Sequence, residues 1–156
     1  MNLPSITKKF PNCFLIGAGF FAVSHIFYAI AFIYLSQSNG YPFKGSGMNT
    51  ALVITVATVL FFVVLLVRQN RFEPYYVIFA AIYLLIISIN MASIFSFSFH
   101  AAQVGNYWRL ISAIGVLSFF MSDFIIGVEI LGGISVYSFL IWWFYPIGQF
   151  LLLIGG

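Results

Sequence analysis

The chain has 156 residues, of which 63% are hydrophobic, 21% aromatic and only 6% charged, and its mean hydropathy is +1.10. Six basic and three acidic side chains cannot coat a water-soluble domain, which carries roughly a quarter charged residues. The same composition excludes a disordered chain, and the net charge of +3, small and scattered rather than gathered into a stripe, excludes a nucleic-acid-binding module. What remains is an integral membrane protein.

A helix needs roughly 20 apolar residues to cross the hydrocarbon, and five segments qualify. The first runs from about Cys13 to Leu35. Lys8 and Lys9 precede it, but it is too long for the apolar core of a signal peptide, and no small-x-small cleavage site follows, so it is read as a true span. Ser36 to Gly47 is a polar, turn-rich loop. The second span runs from about Asn49 to Val67, and Arg68 to Glu73 is a tight charged link. Pro74 suits the first turn of the third span, which runs to about Ser96. Ser98 to Tyr107 is polar, holds His100 and Gly105, and is expected to be a loop. Tyr107, Trp108 and Arg109 form an interfacial anchor at the head of the fourth span, about Trp108 to Leu131. Gly132-Gly133 then leaves almost nothing between it and the fifth span, about Ile134 to Ile154, so these two form an antiparallel hairpin.

The apolar runs are continuous and do not alternate as barrel strands do. The expected fold is therefore all-α: a polytopic transmembrane helical bundle of about five spans, with residues 1–156 as a single transmembrane domain. Lys8, Lys9, Arg68 and Arg71 fall on one side, Lys44 and Arg109 on the other. That bias favours a cytoplasmic N-terminus in a multi-pass protein (of the cell membrane, in a bacterial host).

The single cysteine, Cys13, excludes an internal disulfide. With two histidines and three acids in the whole chain, no dedicated metal site and no cofactor are expected. Ionisable residues inside a bilayer are expensive and mark function by default. Asp123 lies deep in the fourth span and His25 at the middle of the first, while Glu129 sits near the end of the fourth, about 120° around the helix from Asp123. Phe14, Gly17, Phe21, His25, Tyr28 and Phe32 follow steps of three and four and share one helical face. Ser112, Phe119, Asp123 and Gly127 do so on the fourth helix, and Ser138, Trp142, Tyr145 and Gln149 on the fifth. At about 1.5 Å per residue, His25, Asp123 and Tyr145 lie roughly 18, 12 and 16 Å from the same side of the membrane. They are expected to converge at one level, with Ser122, Tyr28 and Gln149 close enough to contribute. Trp142 and Trp143, mid-span rather than at a headgroup belt, are expected to pack inside or line a pocket.

The ordered motifs F-x-x-G-x-x-x-F-x-x-x-H-x-x-Y-x-x-x-F (Phe14, Gly17, Phe21, His25, Tyr28, Phe32), G-x-x-x-F-x-x-S-D-F (Gly115, Phe119, Ser122, Asp123, Phe124) and a terminal Y-x-x-x-Q (Tyr145, Gln149) resemble the YhhN family of multi-pass membrane proteins, which includes the lysoplasmalogenases. The resemblance implies hydrolysis of the vinyl-ether bond of a lysoplasmalogen to a fatty aldehyde and a glycerophospho-headgroup compound. It also implies about eight spans, a Lys-Pro motif near the start, and two aspartates, one from a Gly-Asp motif and one from the Ser-Asp motif. Here only the second, Asp123, has a counterpart, so the chain is expected to lack the family's N-terminal helices.

Vinyl-ether hydrolysis begins with proton delivery to the β-carbon and passes through an oxocarbenium ion, as at glycosidic bonds. It needs an acid that still holds its proton near neutral pH, and then a group that stabilises the cation or activates water. Asp123 is the candidate acid and His25 the candidate base, with Tyr28, Ser122, Tyr145 and Gln149 as substrate-binding residues. The expected partner is a membrane lipid or lysophospholipid rather than nucleic acid, and a homo-oligomer that rebuilds a larger cavity stays open. Two other functions compete. One is a shortened, non-catalytic family member that binds lipid or assists membrane assembly; the other is a proton-coupled carrier, which the single helix-breaking Pro146 of the last span does little to support.

Overall fold

In the computed structural model, the described residues are 11–69, 74–132 and 139–156, with side chains placed for 16–65, 77–129 and 139–156. Five α-helices follow one another: α1 (Pro11–Ser38), α2 (Ser46–Gln69), α3 (Pro74–Gln103), α4 (Leu110–Gly132) and α5 (Phe139–Gly155), with a 3-10 turn at Tyr107–Arg109 leading into α4. No strand occurs among the described residues. Segments of α1 to α4 are long and apolar enough to cross a membrane, and α5 is a shorter apolar helix. Lipid offers backbone groups no partner, and helices satisfy theirs internally, which is why these sequences fold this way.

The helices run further than hydropathy predicts. α1 continues through Ser38 and α3 through Gln103, so His100 sits on a helix rather than in a loop. Its Nδ1–H donates to the Ser96 carbonyl one turn back, 2.9 Å away. Both helices stop by the same device. Gly40 and Gly105 adopt φ of +70° and +91°. Tyr41 N–H donates to Ser36 O and Gly40 N–H to Gln37 O, while Asn106 N–H donates to Ala101 O and Gly105 N–H to Ala102 O. These are Schellman caps, and the left-handed residue in each favours glycine. The start of the fifth span, residues 134–138 with Ser138, lies outside the described residues, as do Lys8, Lys9, Arg71 and Glu73.

α3 packs closely against α1, α2 and α4, and α4 packs most extensively against α5. The α4–α5 pair is the expected antiparallel one. A Cβ at Gly115 would meet Leu152 N at 2.9 Å, and one at Gly148 would meet Phe119 N at 2.8 Å. Small residues thus let the two backbones approach, the usual means of helix association in lipid. The core is aromatic and aliphatic: Phe32, Met91, Ile94, Phe95, Phe97, Val116, Phe119 and Leu152 are buried together. By contrast, a row of apolar side chains on α2 (Leu52, Val53, Val56, Leu60, Val63, Val64) is exposed, as suits a face turned to acyl chains.

One end of the bundle gathers the α1–α2 loop, the α3–α4 loop and the end of α5. Ser96 Oγ–H donates to Pro42 O at 3.2 Å, and a Cβ at Gly45 would touch the His100 ring. Trp108 Nε1–H donates to Ile154 O and Arg109 to Gly155 O at 3.1 Å. The anchor residues therefore also hold down the last turn of α5.

Candidate functional site

Three helices bring their polar groups together inside the apolar bundle. His25 comes from the middle of α1, Asn90 from α3 and Asp123 from α4. His25 Nε2 lies 3.2 Å from Asp123 Oδ2, and Asn90 Nδ2 lies 2.8 Å from His25 Nδ1. His25 is 2% and Asn90 1% exposed, and the Asp123 side chain is 10% exposed. Polar groups this deep are costly unless hydrogen-bonded, and the chain of three satisfies both imidazole nitrogens. A base needs a free lone pair, so this arrangement suits His25 to holding Asp123 rather than to taking a proton from water.

Aromatic rings enclose the pair. Phe119, one turn before Asp123 on α4, stands edge-on to His25 with centroids 4.7 Å apart. Tyr83 of α3 stands edge-on to His25 at 6.2 Å, within electrostatic reach of the Asp123 carboxyl. Tyr145 of α5 packs against Phe119 at 5.1 Å and Phe21 at 5.4 Å, within electrostatic reach of Asp123.

The expected level of convergence thus holds for His25, Asp123 and Tyr145. Tyr28 and Gln149 also meet, though with each other: the Tyr28 hydroxyl donates to Gln149 Oε1, joining α1 to α5 one turn beyond His25. Ser122 is buried, and its Oγ has no hydrogen-bond partner among the described residues. Gly17 lies on the sequence-predicted site face, yet a Cβ added there would meet nothing within 4 Å. Trp142 and Trp143 are corrected outright. They are 78% and 64% exposed, because the face of α5 that approaches α4 is the one carrying Gly148, Leu152 and Gly155, which turns the indoles outward.

Sequence reasoning missed Asn90 and Tyr83. Asn90 is an amide in the middle of an otherwise apolar span, and a search of intramembrane polar residues that included neutral ones finds it. Tyr83 carries no such signal among nine tyrosines.

No curated protein and no solved structure matches the chain. A family model does match, over residues 6–156, and it spans all three of the helices that build this site. The chain belongs to the YhhN family of membrane proteins.

Proposed function

We propose that this protein is a multi-pass lipid hydrolase of the lysoplasmalogenase type, acting on the vinyl-ether bond of lysoplasmalogens within the membrane. The observation that carries the reading is the Asp123 carboxyl, buried among apolar helices, held at 3.2 Å by His25 and walled by Phe119, Tyr83 and Tyr145. A single-chain lipid with a polar head suits such a place: its chain lies along the apolar bundle and its head reaches the interface.

The chemistry needs few groups. Asp123 delivers its proton to the β-carbon of the vinyl ether, the double bond shifts, and an oxocarbenium ion forms. Asp123, now a carboxylate beside that cation, accepts a proton from the attacking water and regains its acid form. The hemiacetal so made breaks to a fatty aldehyde and the free hydroxyl of the glycerophospho-headgroup compound. One water is consumed, no redox change occurs and no cofactor enters. Ser122, Tyr28, Tyr145 and Gln149 offer hydroxyl and amide groups for the ether oxygen and the glycerol.

The test is aldehyde release from a lysoplasmalogen by the purified protein in lipid nanodiscs. Asp123→Asn is expected to reduce it by about 10²–10⁴-fold, the usual contribution of a positioned acid, without loss of insertion or of a monodisperse elution profile. Full activity in that variant overturns the assignment. A second reading has one observation in its favour: the His25–Asp123 bond also ties α1 to α4, helices with no extensive backbone contact. If that tie is the whole role and the protein only binds lipid, wild type releases no aldehyde and Asp123→Asn lowers thermal stability alone.

A further inference from the structure

Asn90 belongs to no motif of the sequence. Its one polar contact among the described residues is His25 Nδ1, 2.8 Å away, with both residues almost wholly buried. The groups facing His25 from the packed helices are Asp123 of α4 and Tyr83 of α3, with Phe119 against the ring.

The same heavy-atom positions admit two proton arrangements. In one, the Asn90 amide N–H donates to a bare Nδ1, and His25 carries its proton on Nε2 and donates to Asp123 Oδ2. In the other, the amide is turned, its oxygen accepts from Nδ1–H, and Nε2 accepts from the Asp123 acid proton or takes it outright as an imidazolium–carboxylate pair. The first leaves the Asn90 carbonyl oxygen and one of its two amide hydrogens without a partner. The second leaves an amide NH2 with two hydrogens unpaired, and buried donors are orphaned more rarely than carbonyl oxygens.

We infer that Asn90 is a positioning residue that fixes His25 as the Nε2–H tautomer, a donor to Asp123 and not a base. The consequence rests on the hydrolase reading. With Nε2–H on Oδ2, the other carboxyl oxygen, Oδ1, is left to carry the acid proton towards substrate. With Nδ1 occupied by the amide, the imidazole has no lone pair with which to capture that proton or to activate water. One carboxyl then serves as acid and base in turn, and the imidazole serves as its fixed holder.

The tautomer is measured without any substrate, by ¹⁵N NMR of histidine-labelled protein in the His100→Gln background, purified without a histidine tag, so that His25 gives the only imidazole signals. Wild-type Asn90 is expected to give a neutral ring protonated on Nε2. Asn90→Leu, similar in size and mute, is expected to give a mixture of tautomers. A wild-type ring protonated on Nδ1, alone or together with Nε2, or the same single tautomer in both proteins, overturns the inference. Should Asn90→Leu fail to fold, the wild-type ring decides alone. Aldehyde release is then expected to fall at least about tenfold in Asn90→Leu, on the way to the about 10⁴-fold that a wrong histidine tautomer costs in a Ser-His-Asp triad. If wild type releases no aldehyde, the hydrolase reading fails while the tautomer result stands.

Discussion

Each imidazole nitrogen of His25 has one partner, and each partner comes from a different helix. Removing the ring therefore leaves two buried polar groups unpaired. His25→Ala is expected to cost about 1–3 kcal/mol for each group left unsatisfied, besides the packing of Phe119 and Tyr83 against the ring. Tyr28→Phe removes a single interhelical hydrogen bond, typically worth about 0.6 kcal/mol inside a membrane. Thermal unfolding in detergent micelles should thus rank His25→Ala well below Tyr28→Phe; equal midpoints would mean that the three-residue chain contributes nothing special. His25 and Asp123 were legible in the sequence because ionisable side chains are so rare here that depth alone singles them out. Their contact was only half legible, since helical spacing places residues on faces and at levels but does not say which helices are neighbours. Asn90 escaped because a neutral amide does not register as a charge, although its burial has the same physical cost when unpaired.

At the scale of helices, glycine distinguishes a packed face from a bare one. A Cβ on Gly148 would stand 2.8 Å from Phe119 N and 2.9 Å from Gly115 O, both backbone atoms that cannot move aside. Gly148→Val is expected to force α5 from α4 and to lower both the unfolding midpoint and activity, because Phe119 at that contact also supports His25 and Tyr145. Gly17→Ala meets open space and should leave stability level or slightly raised, by up to about 1 kcal/mol from helix propensity. If both substitutions behave alike, α4 and α5 do not approach so closely. Gly17 and Gly115 are both motif positions in the sequence, and only the packing separates them. Helix ends were misjudged for a related reason: polar residues from Ser98 to His100 read as loop, yet their side chains are buried or bonded to their own helix, and the true stops are the left-handed Gly40 and Gly105.

The whole bundle has two unlike ends, one built from the two Schellman-capped turns and the end of α5. Lys44 and Arg109 belong to it, and the expectation of a cytoplasmic N-terminus would put it on the side away from the cytoplasm. With Cys13 replaced by serine, Lys44→Cys should react with a membrane-impermeant maleimide on intact cells. Reaction only after permeabilisation would reverse the orientation. The all-α architecture was readable from hydropathy alone, because lipid leaves a continuous apolar chain few alternatives. The order in which the helices pack was not readable, since every helix here is apolar on most of its surface. It is that order, with α3 packed against both α1 and α4, that brings an amide, an imidazole and a carboxyl together. The most direct measurement of what this trio does is hydrolysis of a lysoplasmalogen in deuterium oxide, with the aldehyde trapped as it forms and weighed by mass spectrometry. Proton transfer from Asp123 to carbon predicts one deuterium on the carbon beside the carbonyl for wild type, and no product above background for Asp123→Asn. Unlabelled aldehyde from wild type, or labelled aldehyde at an undiminished rate from the asparagine variant, would contradict the account.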